Sequence, residues 1–321
     1  MESPLGAGKL GTVHQMVLDY GVDSARGMAA SKLERQCLET AVAVMQDDRL
    51  DLNLLHSGFA LTALPHRNTK EVVWERIGGQ NGEVKLLVAS GHGPDKQPVG
   101  LPYGSIARLI LIHLSTEAVA NNSRVVELGS SMRAFLRRMG VAPGGKSFAM
   151  VREQSKKISL CRLTFYNKRS RDTVISNGSF VKNAVIMDDA DERQMGFLQD
   201  TVELDDAFFK SLTENPLPLR ESAIKQLSGR STALDLYIFL SYRLHVLERP
   251  TPVSWTSLFH QFGAGSKNQW IFTQNIKDPL QLALAAYPEA NVDISENGLI
   301  LKPSDSPVPK NHPWAKRLKL V

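Results

Sequence analysis

Cysteine is nearly missing from this chain: among 321 residues only Cys37 and Cys161 carry thiols, far apart in sequence. That excludes a disulfide-stapled secreted scaffold and any zinc site built on paired cysteines. Both thiols read as core residues of a reducing compartment. The eight histidines, at positions 14, 56, 66, 92, 113, 245, 260 and 312, include no His-x-His pair. His113 lies in an apolar helical stretch and reads as a core histidine rather than a ligand. No Gly-x-Ser-x-Gly elbow is present, which removes the commonest serine-hydrolase signature. No apolar run approaches the roughly 18 residues that a membrane span needs. The N-terminus, MESPLGAGKLGTVHQ, has neither the basic start nor the apolar core of a signal peptide. The expectation is a soluble cytoplasmic protein of a bacterial type, not an enzyme, needing no metal or cofactor.

Charge is present in plenty, and unevenly. The net charge is +5, yet Tyr103 to Arg171 holds 13 Lys/Arg against 3 acids, while residues 172–215 hold 3 against 10. A basic block of that size is the electrostatic footprint of a polyanion-binding surface. The acidic run Asp188-Asp189-Ala190-Asp191-Glu192 reads as a solvated connection between domains.

The pattern of elements follows from periodicity and turn residues. Ala29 to Met45 is helical, with Leu33, Cys37 and Val44 on its apolar side. EVVWERI and EVKLLVAS alternate around GGQNG, a β-hairpin whose Gly and Asn supply positive φ. SGHGPDKQPVGLP reads as a linker. Ser105 is placed to cap a helix running to about Ala120, and RVVEL is a short strand. Ser130 or Ser131 opens a second helix with Met132, Phe135, Leu136 and Met139 on one side and Gly140 at its C-terminal cap. VAPGG is a turn, and a third helix runs from about Lys146 to Leu160. Strand-like RLTFYN, a basic turn and FVKNAVIMDD follow. That order is a winged helix-turn-helix. A similar plan recurs in STALDLYIFLSYRLHVL, SWTSLFHQFG, KNQWIFTQNIKDPLQLALAAYP and NVDISENGLIL. In the third of these Pro279 is expected to interrupt or kink the helix, and Trp270 is expected in the core.

The fold class is therefore α+β: two tandem winged helix-turn-helix domains with an N-terminal helix and β-hairpin extension. The expected boundaries are 1–58 for the helical extension, 59–215 for the hairpin plus first winged-helix domain, and 216–321 for the second.

Gly140 to Ser147, GVAPGGKS, also matches the phosphate-loop pattern G-x-x-x-x-G-K-[ST], and AVIMDD offers an apolar run ending in a magnesium-type Asp. A phosphate loop needs a buried strand feeding the glycine turn. Here SSMRAFLRRM has helical periodicity instead, so a P-loop ATPase is the weaker alternative. On the helical alternative, rotation by 100° per residue gathers Phe148, Met150, Val151, Ser155, Ile158 and Cys161 on one half of the third helix. Lys146, Arg152, Lys156, Lys157 and Ser159 gather on the other, with Glu153 among them. Lys146 and Ser147 then meet DNA phosphate at the helix N-terminus, where an anion is favoured. Arg152 and Lys156 are candidates for base edges, and Lys157 for a phosphate. Arg133 sits on the outer face of the preceding helix, and Lys168, Arg169 and Arg171 suit a wing that tracks the backbone.

The ordered segments VWERIGGQNGEVKLLV, GLPYGSIARLILIHLSTEA, ELGSSMRAFLRRMG, GGKSFAMVREQSKKISLCRLTF, LDLYIFLSYR and VDISENGLILKPS resemble the plasmid RepA-type replication initiator family. The resemblance implies two winged-helix domains that bind repeated double-stranded sites, iterons, in a plasmid origin. It implies opening of that origin with a host initiator and a host helicase, repression of the protein's own promoter, and a homodimer as one working form. It also places GGK at the start of the first recognition helix. In the second domain only Lys267 and Lys277 are basic, so Lys267, Asn268 and Lys277 are the weaker expected contacts. A rolling-circle initiator would need the His-x-His pair that is absent. A transcription regulator without a replication role is the remaining alternative.

Overall fold

The computed structural model describes residues 12–78, 84–127, 129–142, 144–168, 171–185, 201–263, 265–309 and 312. The chain is mixed α and β and divides into two compact units, residues 1–52 with 217–321, and residues 53–216. The N-terminal segment is thus packed with the C-terminal part, where the sequence suggested a separate extension. The helices responsible are α1 (Thr12–Tyr20), α2 (Val22–Met28) and α3 (Lys32–Met45). Strand β1 (Leu52–His56) carries the chain into the second unit, which continues with α4 (Gly58–Leu61), β2 (Val73–Gly78), β3 (Val84–Ala89), α5 (Gly104–Ala120), β4 (Val125–Glu127), α6 (Gly129–Arg138) and α7 (Gly145–Leu160). It ends with β5 (Arg162–Lys168), β6 (Thr173–Gly178), β7 (Val181–Val185), β8 (Thr201–Leu204) and α8 (Asp206–Glu214). Strand β9 (Pro216–Arg220) returns the chain to the first unit, followed by α9 (Glu221–Leu227), α10 (Ser231–Arg243), β10 (Thr251–Ser254), α11 (Trp255–Phe262), α12 (Gln269–Ala285), β11 (Val292–Ser295) and β12 (Gly298–Leu301).

Unit 53–216 is built on α5. Its residues Ile106 to Ser115 are all buried, so no amphipathic stripe is left to see in the sequence. Even Arg108 is inside: its guanidinium donates to the carbonyls of Leu64 (2.7 Å), Pro65 (3.2 Å) and Gly104 (2.8 Å), closing the turn before the helix. His113 is buried against Phe135, with Nε2 3.2 Å from Ser131 Oγ. Burial pushes its pKa down to about 3, because the imidazolium would lose its hydration. The expected hairpin forms the antiparallel pair β2–β3, and β3 then pairs with β5 and β5 with β6, giving one four-stranded sheet. A second sheet has the order β4-β8-β7.

Unit 1–52 with 217–321 is built on α10, whose residues Ala233 to Ser241 are buried throughout. Helix α3 opens with a reciprocal cap: Ser31 Oγ accepts from Glu34 N (3.1 Å) and the Glu34 carboxylate accepts from Ser31 N (2.9 Å). Arg220 is buried here too, ion-paired to Glu289 at 2.8 Å and donating to Pro307 O at 3.0 Å. The sheet order is β10-β12-β11. Gly298 starts β12 at φ +151°, and a Cβ there would lie 2.0 Å from Val253 O, so only glycine lets the two strands close. Helix α12 runs continuously through Pro279, contrary to the expected interruption; proline is half-buried there, and tertiary packing of Ile276, Leu280 and Leu284 holds the helix on both sides of it. Cys37 and Cys161 are buried thiols with pKa pushed up to about 12 by desolvation, as core cysteines should be.

Both units therefore share one order, helix, strand, helix, helix, with a three-stranded antiparallel sheet in which the strand after the first helix pairs with the last. In one it is α5, β4, α6, α7 with β4-β8-β7; in the other α10, β10, α11, α12 with β10-β12-β11. Among the described residues no helix is long and apolar enough to cross a membrane.

Candidate functional site

The turn between α6 and α7 decides what Gly140 to Ser147 can do. Gly140 adopts φ +73°, its N–H donates to Arg137 O (3.0 Å), and Val141 N–H donates to Leu136 O (3.0 Å). That pair of bonds is the Schellman termination of a helix. Met132, Phe135, Leu136 and Met139 are buried beneath it, as the spacing predicts. A helix, not a strand, feeds the glycine turn, and Ser147 Oγ donates to Ala142 O at 2.5 Å and to Gly144 O at 3.3 Å. The hydroxyl expected on a phosphate instead braces the turn, and the backbone lacks the strand that a phosphate loop requires. Asp188 and Asp189, the other half of that alternative, lie outside the described residues, with the rest of the acidic run.

Helix α7 buries Val151, Gln154, Ser155 and Ile158 against the unit. Lys146 and Lys156 are exposed, and Arg152 and Ser159 are half-exposed on the same side. Lys146, Arg152 and Lys156, with Ser159 beside them, make up the basic face that the helical rotation predicts. Lys157 does not belong to it. Its side chain is only 8% exposed, pairs with Glu153 at 2.7 Å, and lies 4.6 Å from the centre of the Tyr103 ring. The cause is the stretch expected to be a linker: Gly100 to Tyr103 folds over this flank, and Tyr103 N–H donates to Gln154 Oε1 at 2.8 Å. Lys157, expected on a phosphate, is instead covered and committed to Glu153.

Around the head of α7, the Arg133 guanidinium sits 5.7 Å over the Phe148 ring. Arg137 lines the same crevice with Ser147 and Phe148 and is exposed; it was missed in the sequence because it falls in the last turn of α6, where basic residues usually serve the helix dipole. Lys168 and Arg171 are exposed at the β5–β6 hairpin, and Arg169 lies outside the described residues. Arg124 is consumed by Glu203 and Asp206. With Arg108 and Lys157 inside, the count of 13 cations overstates the free basic surface.

In the other unit, α12 occupies the place of α7 in the element order. Asn268 caps it, accepting from Ile271 N at 2.9 Å, so its side chain serves the helix rather than a ligand. Trp270 is 71% exposed, which overturns its expected place in the core. At the helical repeat, Trp270, Thr273, Gln274, Lys277 and Gln281 form one stripe at spacings of three and four. Thr273 Oγ1 is turned back onto Gln269 O (2.9 Å). Lys267 is exposed just before the cap and Lys277 half-exposed. The signal for Trp270 was available: Phe272, Ile276, Leu280 and Ala283 define the buried side, and Trp270 is not on it. Among the described residues no group of three or more His, Cys, Asp or Glu could hold a metal ion.

Residues 101–256 match a family described as plasmid encoded RepA protein. That span runs from the start of α5 through α7 and on to α10 and β10. Among solved structures, the chain is similar to domains 2 and 3 of RctB. The selenomethionine derivative superposes with TM-score 0.46 at 11% identity, covering 70% of this chain and 84% of that one. A second RctB structure of the same domains gives TM-score 0.45 at 11% identity, covering 76% and 95%. No curated protein sequence matches the chain.

Proposed function

We propose that this chain, whose residues 101–256 match the family described as plasmid encoded RepA protein, is a replication initiator that acts by binding repeated double-stranded sites at a plasmid origin through two winged helix-turn-helix units. The supporting observation is the stripe of Lys146, Arg152 and Lys156 along α7, standing after a Schellman turn in the third-helix position. A helix so placed enters a major groove. Arg152 and Lys156 then donate to guanine O6 and N7, while Lys146, Arg137 and Arg133 neutralise phosphate near the helix start. Lys168, Arg169 and Arg171 form a wing on the backbone. Lys267 and Lys277 give the second unit a lighter electrostatic share, with Asn268 acting only as the cap of α12.

Binding and deformation of the duplex, rather than chemistry, are the work assigned to the protein. A host helicase and a host initiator complete origin opening, and a homodimer bound at the protein's own promoter is a second use of the same surface. The setting is the bacterial cytoplasm, on plasmid DNA.

The test is an anisotropy titration against labelled DNA from beside its own gene, with random competitor, a salt series, and Mg-ATP present or absent. Competitor-resistant binding to repeated sites, steeply salt-dependent and indifferent to ATP, is expected. Binding without sequence preference, or binding that requires ATP, would overturn the proposal.

A further inference from the structure

A cleft of about 290 Å³ opens in the unit formed by residues 1–52 and 217–321, between the first turns of α3 and the junction of α9 with α10. Lys32, Arg35, Gln36 and Glu39 line one side at helical spacings of three and four, Arg230 faces them, and Leu282 of α12 also lines it. The electrostatics are one-sided. Glu39 is held from outside by Arg26, at 2.8 and 3.0 Å, so the acid in the lining is already neutralised. Arg230 donates to Gln36 Oε1 at 2.7 Å, which spans the cleft and fixes the guanidinium without cancelling its charge. Lys32 makes no ion pair among the described residues, and Arg35 only reaches Ala30 O at 3.5 Å. Three cations thus border a concave space floored by Leu282, itself only 3% exposed, and among the described residues none of the three is paired with an acid.

We propose that this cleft is a docking site for an acidic peptide segment of a partner protein, in which carboxylates flank an apolar side chain. Guanidinium forks match carboxylates in two-point geometry, and their weak hydration lowers the cost of the contact. The apolar residue fits over Leu282. Two features favour a peptide over the DNA backbone. The site is a recess sized for side chains, whereas a groove-tracking surface is convex and extended. Leu282 also lies roughly 120° around α12 from Trp270, away from the stripe that faces DNA in the proposed function. A protein on its origin therefore keeps this cleft open to a partner. The inference does not require that DNA reading to be correct.

The probe is a fluorescein-labelled Asp-Leu-Glu-Leu-Asp peptide, titrated with the full chain, alone and saturated with its best-binding duplex. Saturable binding is expected in both states. Lys32→Ala with Arg35→Ala should weaken it at least tenfold, leaving DNA affinity and the urea midpoint unchanged. Arg49→Ala with Arg249→Ala removes the same charge from exposed positions elsewhere in the unit and should leave peptide affinity within twofold. No saturable peptide binding to the native chain would overturn the proposal, as would equal losses in both double variants. A tenfold loss of DNA affinity on changing Lys32 and Arg35, with peptide binding intact, would reassign the cleft to the DNA backbone.

Discussion

Helices α7 and α12 hold the same place in their units and present different chemistry. Over α7 the outward side carries Lys146, Arg152 and Lys156, with Arg137 beside its start. Over α12 it carries Trp270, Thr273, Gln274 and Gln281, with Lys277 the lone cation within the helix. A cation binds any duplex because every phosphate is alike, whereas an amide or an indole distinguishes base edges and thymine methyls with little charge involved. On the proposed function, the cations of α7 supply most of the affinity along with the guanine contacts, and the nearly neutral stripe of α12 adds discrimination with little charge. The buried histidines divide unevenly as well. Unit 53–216 encloses His56 and His113, and the other unit encloses His14, whose pKa is lowered chiefly by burial.

The largest expected effect concerns stability and tests whether the units differ as those histidines imply. His56 and His113 are held neutral, with pKa values pushed down by desolvation to about 4 and about 3. An unfolded histidine takes up its proton near pH 6.5. The unfolded chain therefore binds more protons below that pH, and stability falls as pH drops from 6.5 towards 4. By pH 5 the loss should be about 2 kcal/mol for each histidine. Urea midpoints at pH 7 and pH 5 measure it, and His56→Gln with His113→Gln should flatten the difference. Hydrogen exchange should place the acid-sensitive opening in unit 53–216.

Next comes the electrostatic share of α7. Lys146→Ala with Arg137→Ala should weaken binding to specific and random duplexes alike, by about tenfold or more, and reduce the salt slope by about two. Arg152→Ala should cost about 1–3 kcal/mol on the preferred site and relax one base position. Trp270→Ala sharpens the contrast from the other side. It should lower preference for the specific site by about 1–3 kcal/mol with the salt slope unchanged. Should Trp270→Ala instead change the slope, or touch both DNAs equally, α12 would be another backbone contact and the division between the helices would fail.

Much of this was legible in the sequence because local signals agreed with the fold. The hairpin of β2 and β3, the Gly140 cap, the apolar spacing under α6, the core thiols and the buried His113 are each consequences of a few adjacent residues. What was hidden depended on distant segments. Residues 1–52 look like an extension until their helices are seen packed with α9 and α12. Pro279 looks like a break until the packing around it is known to outweigh one lost hydrogen bond. Trp270 was misplaced by composition, since a tryptophan among apolar residues is usually core, although its angle around α12 already argued otherwise. Arg108 shows the converse: an arginine counted in the basic block that holds a loop together from inside, as the buried Arg220 does in the other unit.

The smallest effect on DNA is expected at Lys157, and it separates geometry from charge counting most cleanly. By sequence it belongs with Lys156, its neighbour on a basic helix. In the folded unit it is covered by Gly100 to Tyr103 and committed to Glu153. Lys157→Ala should therefore leave the salt slope within error of the native value. It should lower stability by about 1–2 kcal/mol, because an ion pair and a cation–π contact over Tyr103 are lost from a covered site. Paired measurement with Lys156→Ala is decisive: Lys156 should move DNA affinity and not the urea midpoint, and Lys157 the reverse. If both lysines move affinity equally, the Gly100–Tyr103 segment must lift away when DNA binds, and the basic face of α7 is as broad as the helical rotation alone suggested.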